Sequence, residues 1–177
     1  SYAMELSQEI GSSFAMLSAF WHLSSLQIAQ LTLRDAENTC QQLEHAAHMP
    51  GLQRFPISGY VALLLGEISM ERNDAEAAER YLLESAEQIN PESFPLALLR
   101  AYVALSRLKT LQGDTEGAEY YWQLAEQLER MSKLQGRATL LSISRARRWL
   151  EQGNLEAVED WAAENQMGPD DEFSYHR

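Results

Sequence analysis

Residues 111–121 read LQGDTEGAEYY, and the fold turns on what that phrase does to the backbone. The same phrase stands forty residues earlier as ERNDAEAAERY (71–81) and forty residues later as EQGNLEAVEDW (151–161). Aligned without gaps, the copies place Asn73, Gly113 and Gly153 in one column and Asp74, Asp114 and Asn154 in the next. Glutamates follow at 76, 116 and 156 and again at 79, 119 and 159, and an aromatic closes the phrase at Tyr81, Tyr121 and Trp161. Recurrence at a fixed period of this length is the mark of a stacked array whose units cannot bury their apolar faces alone.

Each column has a physical reason. Glycine, or asparagine in its place, tolerates the left-handed backbone that follows a helix end, and the next Asp or Asn can accept from the first free amides of a new helix. A glutamate two residues on sits in that helix's first turn, where the positive end of the macrodipole favours it. The phrase is therefore a corner between two antiparallel helices. Twelve residues before Ala78, Ala118 and Val158 stand Gly66, Ser106 and Ala146, small residues that let the two helices approach closely near the turn.

A fainter copy, LRDAENTCQQLEHA (33–46), matches the second phrase at an offset of 39. The expectation is an all-α right-handed superhelix of about four helical hairpins. Its helices span 5–31 and 35–47, 57–72 and 75–89, 94–112 and 115–131, and 136–152 and 155–164. Prolines 50, 56, 91, 95 and 169 mark the cuts between segments. Gly11 offers a break in the long first segment. Residues 1–4 read as an expression remnant before a single repeat domain at 5–177. MGPDDEFSYHR offers Asp170 as the cap of a ninth helix, so the chain reads as a piece of a longer one.

Composition narrows the function. The 177 residues carry 26 acidic against 14 basic side chains, a net charge of −12, and such a surface repels phosphate backbones, so direct nucleic-acid binding is not expected. No apolar run approaches the roughly 18 residues of a membrane span. The single cysteine, Cys40, has no internal disulfide partner, which fits a cytoplasmic location. Nothing calls for a cofactor or for catalysis: no phosphate-cradling loop of the Gly-x-x-x-x-Gly-Lys-Ser/Thr type is present, and His22 and His176 stand in no nucleophile or acid pattern.

The spacing of Gly113, Asp114, Ala118, Trp122 and Ala125 resembles the second half of a tetratricopeptide repeat (TPR), although forty residues exceed the usual 34 of that motif. The longer runs, AYVALSRLKTLQGDTEGAEYYWQLAEQLER among them, resemble the superhelical sensor region of the ATP-dependent LuxR-type transcriptional regulators related to the maltose activator MalT, over about residues 17–177. That resemblance implies a non-catalytic region that receives a small-molecule inducer or a protein partner and takes part in self-association. Its NTPase and helix-turn-helix modules would lie elsewhere in the protein. A general TPR interaction scaffold, unconnected with transcription, is the alternative.

In the TPR register the first helix of each hairpin lines the concave face. Counting back from the Gly-Asp corner places Tyr60, Leu63, Glu67 and Met70 there, then Arg100, Val103, Arg107 and Thr110, then Leu140, Ile143, Arg147 and Leu150. Arginine offers a planar fork suited to carboxylates and phosphates, so Arg100, Arg107 and Arg147 are candidates for holding an anionic or polyhydroxylated ligand, with Tyr60 as a stacking surface. The competing reading is that the arginines pair with Glu67 and other acids to keep the repeats in register. Cys40, Glu44 and His48, four apart with His45 beside them, share a helix face, which suits a half-buried cysteine better than a metal site. The aromatic column suits packing between neighbouring hairpins or a stacking platform, the glutamate column a solvated face. The basic run Arg145–Arg148 suits a helix paired with nearby acids.

Overall fold

A computed structural model describes residues 2–48, 52, 55–132 and 139–165, with side chains from Ser13 onward except at 139 and 140. Asp170, the ninth helix it would cap, and His176 lie outside the described residues, as does the side chain of Leu140. Among the described residues there are eight helices and no strand. They are α1 (Tyr2–Ala29), α2 (Leu33–Ala46), α3 (Ile57–Glu71), α4 (Ala75–Gln88), α5 (Pro95–Leu111), α6 (Thr115–Met131), α7 (Thr139–Glu151) and α8 (Leu155–Glu164). α1 runs through Gly11 without a break, and Pro95 opens α5 from inside its first turn, where its missing amide costs nothing. The chain divides into two compact units, residues 1–133 and 134–177.

In the first unit α1 packs on α2, α3 on α4 and α5 on α6, and the hairpins stack through α2 on α3 and α4 on α5. The first helices also touch along the stack, α1 with α3 and α3 with α5. In the second unit α7 packs on α8. The all-α array of hairpins expected from the forty-residue period is the observed one.

The corners carry it. Asn73 (φ 59°), Gly113 (φ 77°) and Gly153 (φ 72°) are left-handed. At each, the following amide reaches back five residues: Asp74 N to Ser69 O at 2.9 Å, Asp114 N to Lys109 O at 2.9 Å, Asn154 N to Trp149 O at 2.8 Å. This is the Schellman closure, which satisfies carbonyls that a helix end leaves open. The Asp74, Asp114 and Asn154 side chains then accept from the amides of Ala77, Gly117 and Ala157 at 3.1, 2.8 and 3.3 Å.

The first hairpin turns in the same way with different residues. Leu31 (φ 58°) is left-handed, and Thr32 N reaches Gln27 O at 2.9 Å. Leu31 stands 42 residues before Asn73, so the offset of 39 that aligned Asp35 with Asp74 is corrected. The matched acids misled because Asp35 lies inside the first turn of α2, whereas Thr32 holds the cap position and makes no side-chain cap bond.

In the second and third hairpins the small residues mark a close approach, with one change of partner. Ser106 Oγ donates to the Ala118 carbonyl oxygen at 2.8 Å, so α5 and α6 meet at that pair. In the second hairpin a Cβ on Gly66 would lie 2.7 Å from Leu82, one turn beyond Ala78.

Candidate functional site

The first helix of the second hairpin, α3, is covered nearly all round. On α3, Ile57, Gly59, Val61, Ala62, Leu63, Leu64, Gly66, Ile68 and Ser69 are buried, which leaves Tyr60, Glu67 and Met70 half-buried along one stripe. Leu63 was expected on that surface and is fully enclosed. On α5, Arg100 and Val103 are half-buried while Arg107 and Thr110 are exposed.

Tyr60, Glu67 and Arg100 come together. Arg100 Nε donates to Glu67 Oε1 at 2.5 Å and its Nη2 donates to Glu67 Oε2, a bidentate pair whose side chains are 17% and 16% exposed. Its Nη1 donates to Ser25 Oγ at 2.8 Å, and the guanidinium carbon lies 4.5 Å from the centre of the Trp21 ring. Tyr60 meets Trp21 edge-to-face at 5.4 Å and Phe94 at 5.9 Å, and Phe94 meets Phe55 at 5.7 Å. Burial pushes the Tyr60 hydroxyl up to about 12, so it stays a neutral donor and acceptor at any ordinary pH. An Asx turn places Phe94: Asn90 Oδ1 accepts from the amides of Glu92 and Ser93 at 2.8 and 3.2 Å, just ahead of α5.

Of the other candidates, Arg107 stands 3.8 Å from Glu71 with its side chain 44% exposed, a loose pair in water. Val103 lies on α5 one turn beyond Arg100. Arg147 belongs to the second unit, on α7, and is exposed. In the first unit α5 carries Arg100, Arg107 and Lys109 and no acid. The second helices α4 and α6 carry glutamates at 76, 79, 84 and 87 and at 116, 119, 126 and 129. Cations thus gather on a first helix of a strongly acidic chain.

One member of the glutamate column, Glu79, departs from the solvated face expected of it, while Glu159 is exposed as expected. Glu79 takes Lys109 Nζ at 2.7 Å and Gln112 Nε2 at 3.0 Å, and these bonds, Lys109 first, hold its carboxyl below the usual range. Glu37, 42 residues upstream of Glu79, takes both terminal nitrogens of Arg72 at 2.6 and 2.7 Å. In both hairpins the column ties a second helix to the next hairpin's first helix, at its last turn or just past it. Two members of the aromatic column meet partners within their own hairpin. Tyr121 stacks on Tyr102 at 6.5 Å, and Trp161 Nε1 donates to Ser142 Oγ at 2.6 Å. Cys40 is buried, with its thiol raised to about 12 by desolvation and then by Glu44, while Glu44, His45 and His48 are exposed. Among the described residues no three His, Cys, Asp or Glu side chains are grouped to hold a metal, and no helix is long and apolar enough to cross a membrane.

Sequence reasoning missed Trp21, Ser25 and Phe94. The signal for two of them was the register of the first hairpin: Trp21 and Ser25 stand 42 residues before Leu63 and Glu67, in the columns that line the first helices. Without a Gly-Asp corner at Leu31–Thr32 there was nothing to count from.

A family model described as the MalT-like TPR region matches residues 1–177. No curated protein and no solved structure matches the chain.

Proposed function

The chain belongs to the MalT-like TPR region family, and from that premise we propose that it is the ligand-receiving and self-associating helical-repeat region of a LuxR-type transcriptional regulator. The observation that carries the ligand half is the cluster on α1, α3 and α5. There an arginine fork and a carboxylate lie beside Trp21, Tyr60 and Phe94, the polar and aromatic groups a small polyhydroxylated or anionic molecule needs. Such a ligand presents an anionic or hydroxyl oxygen to Arg100 or Arg107 and its body to the aromatic rings. The self-association half is supported by α1, which exposes Phe14, Leu23 and Leu26 in a stretch with no Asp, Glu, Lys or Arg between Glu9 and Arg34. Two copies of an otherwise acidic protein meet with least repulsion there.

A second reading has its own observation. Glu67 on Arg100, Glu71 on Arg107, Glu37 on Arg72 and Glu79 on Lys109 are ties between hairpins, so the cations serve register and the region is a protein-binding scaffold. Thermal-shift measurements against sugars, nucleotides, aromatic acids and peptides, on wild type and Arg107→Ala, separate the two, because a ligand that binds only the folded chain raises its melting temperature. The sensor reading expects a compound whose shift is lost in Arg107→Ala while the unliganded stability changes by less than about 1 kcal/mol. No response to any compound in either chain, with lowered stability in the variant, favours the scaffold.

A further inference from the structure

The partners of Arg100 fall into two sets on two different helices. Nε and Nη2 lie on the Glu67 carboxylate of α3, whereas Nη1 meets Ser25 Oγ and the guanidinium face meets Trp21, both of α1. One side chain of α5 thus reaches past the second hairpin to the first. Ser25 is set up to receive it. Its own hydroxyl hydrogen goes to the Trp21 carbonyl oxygen at 2.7 Å, which leaves the oxygen as the acceptor for Arg100.

The two sets are unequal. The Glu67 side is a bidentate, charge-assisted fork, the strongest arrangement a guanidinium makes with a protein group. The α1 side is a neutral hydroxyl and a ring face, each weaker. Each terminal nitrogen carries two hydrogens, so an incoming oxyanion finds the Glu67 edge closed and the α1 edge open to exchange. A charged acceptor outcompetes a hydroxyl there.

We infer that Arg100 is a latch on α1. A carboxylate- or phosphate-bearing molecule bound at Arg100 takes the edge now given to Ser25, lifts the guanidinium from Trp21, and loosens α1 while α3 and α5 remain tied through Glu67. The same step exposes Tyr60, whose ring Trp21 now meets edge-on at 5.4 Å, to the body of the ligand. Access to the aromatic surface and release of α1 are one event. The inference rests on the reading of this cluster as the ligand site, and adds the direction in which occupancy moves the fold.

Hydrogen exchange followed by mass spectrometry on the whole chain tests it, with inorganic phosphate and glutarate as probes at millimolar concentration. Ser25→Ala removes the hydroxyl contact of the α1 side and leaves the Trp21 ring face, and Arg100→Gln removes both sides. In both variants the amides of residues 18–29 should exchange at least about threefold faster than in wild type, since local opening sets their rate. Those of α7 and α8 should not change. In wild type a probe should raise the melting temperature and speed exchange in residues 18–29, and both effects should vanish in Arg100→Gln, which also controls for general salt effects. The latch is overturned if residues 18–29 keep wild-type exchange in both variants. It is equally overturned if a probe binds through Arg100 yet slows α1 along with everything else, a result that leaves the ligand site standing. If neither probe shifts melting but a neutral polyhydroxylated compound does, the oxyanion and the latch both fall and the site survives. If nothing in the wider screen binds, the site reading itself fails, and the latch with it.

Discussion

At the scale of single residues, the corners show how much of the backbone is written in a few side chains. Asn73, Gly113 and Gly153 occupy the left-handed region that their residue types tolerate, and all three were legible as such. Leu31 adopts the same angles with a side chain that is not suited to them, so its turn was invisible to a reading that looks for Gly or Asn. The left-handed conformation costs an ordinary residue roughly 1–2 kcal/mol, and glycine's own entropy returns part of that on substitution. Leu31→Gly should therefore stabilise the chain by up to about 1 kcal/mol in urea denaturation, and a loss of stability would contradict the strain. Asp114→Ala goes the other way. Removing the acceptor for the Gly117 amide should cost about 1 kcal/mol in the same measurement.

Between elements, the decisive contacts are polar side chains laid across the apolar stack. Glu79 looked like solvent-facing charge because its partners, Lys109 and Gln112, come from the next hairpin, 30 and 33 residues on. No short-range pattern announces such a pair. Because the Glu79 carboxyl is held below its usual range in the folded chain, its contribution to stability is complete above the ordinary carboxylate value and disappears as pH falls through the folded one. Glu79→Gln should be less stable than wild type at pH 7, by about 1 kcal/mol for a part-buried pair. The two chains should melt alike once the pH is well below about 4.3. A gap that persisted at low pH would mean that the glutamate acts through shape and not through charge.

For the whole molecule, the uncharged face of α1 on an acidic chain sets an expectation for solution behaviour. Light scattering at tens of micromolar should give a mass above that of a 20.1 kDa monomer, and a strictly monomeric mass would remove self-association from the proposed function. What the sequence determined by itself is the array: eight helices, paired at corners written by a left-handed residue and a capping side chain, with small residues twelve places apart across the turn. Every one of those signals acts within about a dozen residues of chain, and periodicity repeats it, so the reading was secure wherever the repeat was kept and slipped by three residues where Leu31 and Thr32 replaced it. What only the tertiary structure decided is the company of Arg100. Its partners lie 33 and 75 residues away, at Glu67 and Ser25. Which distant groups meet depends on how the hairpins stack and on which faces their apolar cover leaves open, and that is set by packing across the whole unit rather than by any neighbour in the chain.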